Sequence, residues 1–192
     1  MVPIRIPSDT VSSAGRAAHD AGLAALLGGN LYGRIALHPA LAEVGDRTER
    51  GKVVNRAWGR YGWINAASLL AILAGWAGAR VNEARPSSLS PRERALAKGK
   101  DAAVGAVIAT GLATAIAGRR FARTAPDGAV PLEDGNTPSV DTPEEAARLK
   151  RRVNALSTAN AAAELALVGV NAALAQANFR RPPTRRLLRR RY

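Results

Sequence analysis

Two charges sit inside otherwise apolar runs of this chain: Arg34 in GLAALLGGNLYGRIALHPAL and Glu164 in NAAAELALVGV. A charge at the centre of a membrane helix costs about 2.5–3.5 kcal/mol on insertion scales, so such residues pair or serve a function. Span centres fall near residues 29, 70, 111 and 166. At 1.5 Å per residue, Arg34 and Glu164 then differ in depth by about 5 Å on antiparallel helices, within reach of a guanidinium. Asn65, Thr114 and Asn160 fall in the same half, with His38 at the rim. This predicts an intramembrane polar layer of Arg34, Asn65, Thr114, Asn160 and Glu164. Three chemistries fit it: an interhelical ion pair supported by amide hydrogen bonds, a site for a small solute, proton or anion, and a catalytic acid. No residue is assigned a catalytic role.

The elements that must position this layer are long apolar helices. Tyr61 to Ala79 is an uncharged run closed by Arg60 and Arg80, and Ala102 to Gly118 is a second, between Asp101 and Arg119. Each approaches the ~20 residues that cross a bilayer. With the Arg34 and Glu164 runs, this predicts an all-α, four-transmembrane-helix bundle with spans at about 19–39, 61–80, 102–120 and 155–177. A soluble Ala-rich bundle would need a polar stripe along each helix, and Tyr61–Ala79, with only Asn65 and Ser68, has none.

Helix boundaries follow from breakers and caps. The first helix is expected to start after Ser12 or Ser13 and to end or kink at Pro39. Asp46 with Glu49 has capping-box spacing and opens a second helix running to about Val81. Ser90, Pro91 and Glu93 open a third, to about Arg123, and Thr142, Pro143 and Glu145 a fourth, to about Phe179. Residues 124–141, rich in Pro, Gly and Asp, read as a loop. Helices 2 to 4 should extend beyond the bilayer.

Net charge is +13, and the positive residues flank apolar runs as in membrane proteins, so nucleic acid is not expected as a partner. The chain has no cysteine and two histidines. That excludes thiol catalysis, disulfides and cysteine-ligated clusters, and no metal or other cofactor is expected. No nucleotide loop or hydrolase motif is present. The start of the chain has no apolar signal region. Seven Arg follow Phe179, among them Arg185, Arg186, Arg189, Arg190 and Arg191, and six Lys or Arg lie from Arg80 to Lys100. These predict a multi-pass inner (plasma) membrane protein with both termini cytoplasmic and residues 181–192 forming a basic cytoplasmic tail on anionic lipid headgroups. Arg over Lys, and much Ala, suggest a GC-rich bacterial genome.

Gly29 and Gly33 form a GxxxG, which lets helices approach closely, within the chain or in a homodimer. Trp58, Trp63 and Trp76 bracket the second helix as an aromatic belt would. His19 beside Asp20 reads as a helix-start cap or a proton relay. The triplets His19-Asp20-Ala21 and Lys100-Asp101-Ala102, with Asn65-Ala66-Ala67 and Asn160-Ala161-Ala162, form a faint repeat of the two hairpins.

His38-Pro39-Ala40-Leu41, Asn55 and Tyr61 carry a family resemblance. The Gly-rich first run, a basic turn and VVNRAWGRYGWINAASLL resemble the first hairpin of anthrone-oxygenase-like small four-helix membrane proteins, over about a third of the chain. The second half, with its long acidic loop, departs from the pattern. Most such families have no established activity, so the resemblance implies the fold and not a reaction. Function is therefore expected to be that of an accessory or scaffold membrane bundle, with a dimeric small-solute or ion transporter, or an oxidoreductase on a lipid-like substrate, as alternatives.

Overall fold

The computed structural model describes residues 8–82 and 84–179. Four long helices carry it: α1 Ser8–Tyr32, α2 Arg47–Val81, α3 Pro91–Ala122 and α4 Glu144–Phe179. No strand occurs among the described residues; residues 132 and 138 share one isolated bridge. The tail Arg residues 185, 186, 189, 190 and 191 lie outside the described residues.

The caps explain two of the helix starts. The Asp46 carboxylate accepts from the backbone of Thr48 (2.7 Å) and Glu49 (2.9 Å), satisfying orphan donors at the first turn of α2. The Thr48 hydroxyl and these two amides hold the Asp46 carboxyl below its ordinary pKa. Ser90 and Glu93 form a complete capping box at α3. Thr142 does not cap α4: its hydroxyl donates to the Pro131 carbonyl (2.5 Å) and accepts from Ser139 N–H (2.8 Å), serving the preceding loop.

The start of α1 differs from expectation. Among the described residues it is helical from Ser8, and no Gly or Pro follows Pro7 until Gly15. Pro39 does not stop the helix either. Residues Gly33–Leu37 widen into a π turn, in which His38 N–H donates to the Gly33 carbonyl five residues back, and His38–Ala40 continue helically. Pro39 has no N–H and would crowd the Ile35 carbonyl in a regular α-turn; the wider turn accommodates it. Arg34 and His38 both sit on this turn, the kind of irregularity that concentrates at functional sites.

The helices run alternately up and down as two hairpins. α1 lies along α2 and α3 along α4, while contact between the hairpins is sparser. Gly29 and Gly33 face α2, where a Cβ on either would overlap the Tyr61 or Trp58 ring. The GxxxG thus seats two aromatic side chains within one chain.

Three helices, α2 to α4, are long and apolar enough to cross a membrane, against four expected. α1 falls short because Arg16, His19 and Asp20 interrupt its apolar pattern. Only 22%, 17% and 22% of the apolar stretches of α2, α3 and α4 are buried within the protein. Leu70, Leu112, Ile116 and Leu165 are exposed, whereas Glu93, Asn160, Glu164 and Lys150 are buried. Aqueous surfaces seldom carry so continuous an apolar face.

Residues 124–141, expected to be a plain loop, close one end of the bundle. Val130 and Leu132 are fully buried in an apolar cluster with Leu41, Val54 and Phe121. The Arg50 guanidinium donates to the carbonyls of Ala42, Val44 and Glu133. Leu132 N–H donates to the Arg47 carbonyl and Gly135 N–H to that of His38. Arg47 also pairs with Glu133 (2.9 Å) and Asp141 (2.8 Å). The acidic residues of this plug therefore answer the basic first turn of α2.

Candidate functional site

The interface of α1 with α4 sets the depth of each polar residue. Asp20 meets Asn171, Asn30 meets Glu164, and Arg34 meets Ser157 and Thr158. From Asp20 to Arg34 the contacts advance 14 residues along α1 and retreat 13 to 14 along α4, as antiparallel helices require. Asn30 Nδ2 donates to Glu164 Oε1 at 2.8 Å, and Arg34 Nη2 donates to the Ser157 and Thr158 hydroxyls at 3.1 and 3.0 Å. The expected Arg34–Glu164 ion pair is absent among the described residues. The register brings Arg34 opposite a position nearly two turns from Glu164, and Asn30, one turn before Arg34, takes the carboxylate.

Glu164 is fully buried, and its Oε2 has no partner among the described residues. Asn160, one turn away on the same helix, is buried with Nδ2 equally unpartnered. Thr114 donates to the Thr110 carbonyl of its own helix at 2.7 Å, so it joins the layer as a wall residue and not as a hydrogen-bond link.

Arg34, Asn65, Thr114 and Asn160 line one cavity of about 500 Å³ between the two hairpins. Glu164 lies behind Asn30, which lines it. The cavity continues from these residues to His38, Asn136 and Lys150 beneath the plug. Leu26 and Leu69, which line it, belong to the apolar cluster that also holds Ile72, Val107 and Leu167. At the rim, Trp58 Nε1 donates to His38 Nε2 at 2.9 Å with the rings edge-on. That bond assigns the His38 proton to Nδ1, which lies beside Asn136 without a well-formed hydrogen bond among the described residues.

The tryptophans do not form the expected belt. Trp63 alone of the three is exposed; Trp58 lines the cavity and Trp76 is buried. Trp76 Nε1 donates to Asp101 (2.8 Å), Arg80 pairs with Asp101 (3.1 Å), and the Lys100 ammonium lies 4.3 Å from the Trp76 ring centroid. His19 is buried, with Nδ1 3.1 Å from Asp20; eleven residues into α1, it is not a helix-start cap. These groups close the end of the bundle opposite the plug.

Lys150, Asn154, Ser157 and Asn30 line the cavity and were missed in the sequence. Their signal was there. Asn30, Arg34 and His38 recur every four residues, and Lys150, Asn154, Ser157, Asn160 and Glu164 every three or four, each set marking one helix face. The chain matches no protein-family model, no curated protein and no solved structure.

Proposed function

We propose that this chain is a multi-span membrane protein that holds a small polar solute in the cavity between its hairpins. α2, α3 and α4 cross the bilayer, and α1 crosses with them because it packs along α2 and holds Asn30 and Arg34 against α4. The plug end faces outward. The Arg-rich tail and the basic 80–100 connection lie on the cytoplasmic side, the tail against anionic headgroups. A scaffold bundle would satisfy its buried polar groups by packing. Here a cavity of about 500 Å³, lined by Arg34, Asn65, Thr114 and Asn160, lies at the level of the apolar spans, and this observation carries the solute-binding reading over the scaffold one. His38 and Asn55, two residues on which the anthrone-oxygenase-like resemblance rests, line the same cavity.

The absence of native cysteine permits a direct test. Thr114→Cys should react with a small aqueous thiol reagent in intact membranes, and Leu70→Cys, exposed on the opposite, apolar surface, should not. Equal protection of both would mean that the cavity is dry and packed shut, and the scaffold reading would stand.

A further inference from the structure

The cavity wall offers hydrogen-bond donors and positive charge, and no carboxylate. Five buried side-chain polar atoms lack a partner among the described residues, and three of them belong to cavity-lining residues: Arg34 Nε, His38 Nδ1 and Asn160 Nδ2. All three are N–H donors, because the Trp58 indole occupies His38 Nε2. They come from two helices, and Asn160 is only 4% exposed. Arg34, Arg119 and Lys150 add three formal positive charges, and none of the residues lining the cavity is Asp or Glu. The Lys150 ammonium has an aromatic neighbour, Phe121, at 5.4 Å, and feels the Asp134 carboxylate of the plug only through space, with no hydrogen bond to it among the described residues.

Buried donors are almost always matched by acceptors. The missing partner must therefore accept several N–H bonds from different directions and carry negative charge. Resting on the reading of the cavity as a solute site, we infer that it takes a phosphate group. Several outward oxygens suit donors spread over two helices, and a phosphate monoester's two negative charges answer the excess of cations better than the single charge of a carboxylate does. Charge-assisted bonds of this kind are the strong ones in a low-dielectric site. The remaining wall is apolar, with Leu26, Val54, Leu69 and Phe121, so the rest of the ligand is apolar or small. Two sources share this chemistry. A lipid phosphate could reach the cavity sideways, past the small residues Gly62 and Ala66 of α2 and Ala115 and Gly118 of α3 that line it. A water-soluble phosphate ester would pass beneath the plug.

The test uses the full chain in an uncharged detergent, with thermal unfolding followed by tryptophan fluorescence. The probes are glycerol 3-phosphate, dioleoyl phosphatidic acid and, as the uncharged control, dioleoylglycerol. A saturable rise in Tm is expected with a phosphate probe: phosphatidic acid alone identifies a lipid source, and glycerol 3-phosphate acting as well identifies a soluble one. Arg34→Gln and Lys150→Gln should each weaken the apparent affinity about tenfold or more. Each variant is referred to its own ligand-free Tm, so lost stability does not count as lost binding; if Arg34→Gln does not fold, Lys150→Gln carries the comparison. Equal stabilisation by dioleoylglycerol, or phosphatidic acid binding unchanged by the substitutions, overturns the phosphate assignment. Stabilisation by an uncharged sugar but by neither phosphate overturns it too, while leaving a solute cavity in place. An unlabelled Thr114→Cys overturns the cavity itself.

Discussion

Glu164 accepts one hydrogen bond, from Asn30, and its second oxygen has no partner among the described residues. Asn30→Ala removes that bond from a fully buried carboxyl group. The expected loss is about 1–3 kcal/mol of stability, the cost of leaving a buried polar group unmatched. Replacing both partners, Asn30→Ala with Glu164→Leu, should recover most of the loss. Thermal unfolding of the four variants in detergent checks this; additive losses would mean that the Asn30 bond does not hold the carboxyl. Counting along antiparallel spans set Arg34 and Glu164 about 5 Å apart in depth, whereas the register places Arg34 opposite Ser157 and Thr158, nearly two turns from Glu164. The sequence did not reveal the partner. Coulomb reasoning pointed to Arg34, whereas the register of α1 on α4 decides which of two residues one turn apart lies level with Glu164.

At the scale of elements, the first hairpin depends on two aromatic rings lying in the gaps that Gly29 and Gly33 leave. Gly29→Leu should lower stability by about 1–3 kcal/mol or more, as overpacking does. Gly28 has open space around its Cα, so Gly28→Ala should be neutral or gain slightly from helix propensity. Unfolding curves of the two variants compare them directly. If Gly28→Ala is as harmful as Gly29→Leu, the glycine face also meets a second copy. Helix boundaries were legible where caps and prolines act locally: Asp46 and Ser90 open α2 and α3 as their spacing predicts. The π turn before Pro39 was not, since a proline reads equally as a stop or a kink until tertiary contacts hold the chain helical beyond it. The plug was not legible either. Its order comes from contacts across the molecule, such as Arg50 with the Glu133 carbonyl and Asn55 with that of Gly128, and no local periodicity records them.

For the whole molecule, the plug and the opposite end lie on different sides of the apolar belt. Reporter fusions after Asn136 should read external, and fusions near Arg85 cytoplasmic; the reverse would invert the proposed orientation and leave the four helices intact. The all-helical architecture was legible because uncharged runs of membrane length are rare by chance. The number of clearly apolar helices was not. α1 turns Asn30 and Arg34 toward α4 and buries His19, while Arg16 and Asp20 stay exposed, and hydropathy averaged along a helix does not see which residues are covered.

The Asn30–Glu164 bond joins the two hairpins, and the chain is made from its N-terminus. Asn30 is therefore in place before Glu164 leaves the ribosome. On the proposed membrane reading, the last helix would bring its buried carboxyl group to a donor already made. The order of synthesis matches the order in which polarity must be matched. A chain permuted to begin at α3 would present the same contacts in its finished form, yet it would insert Glu164 first, with its donor still unmade.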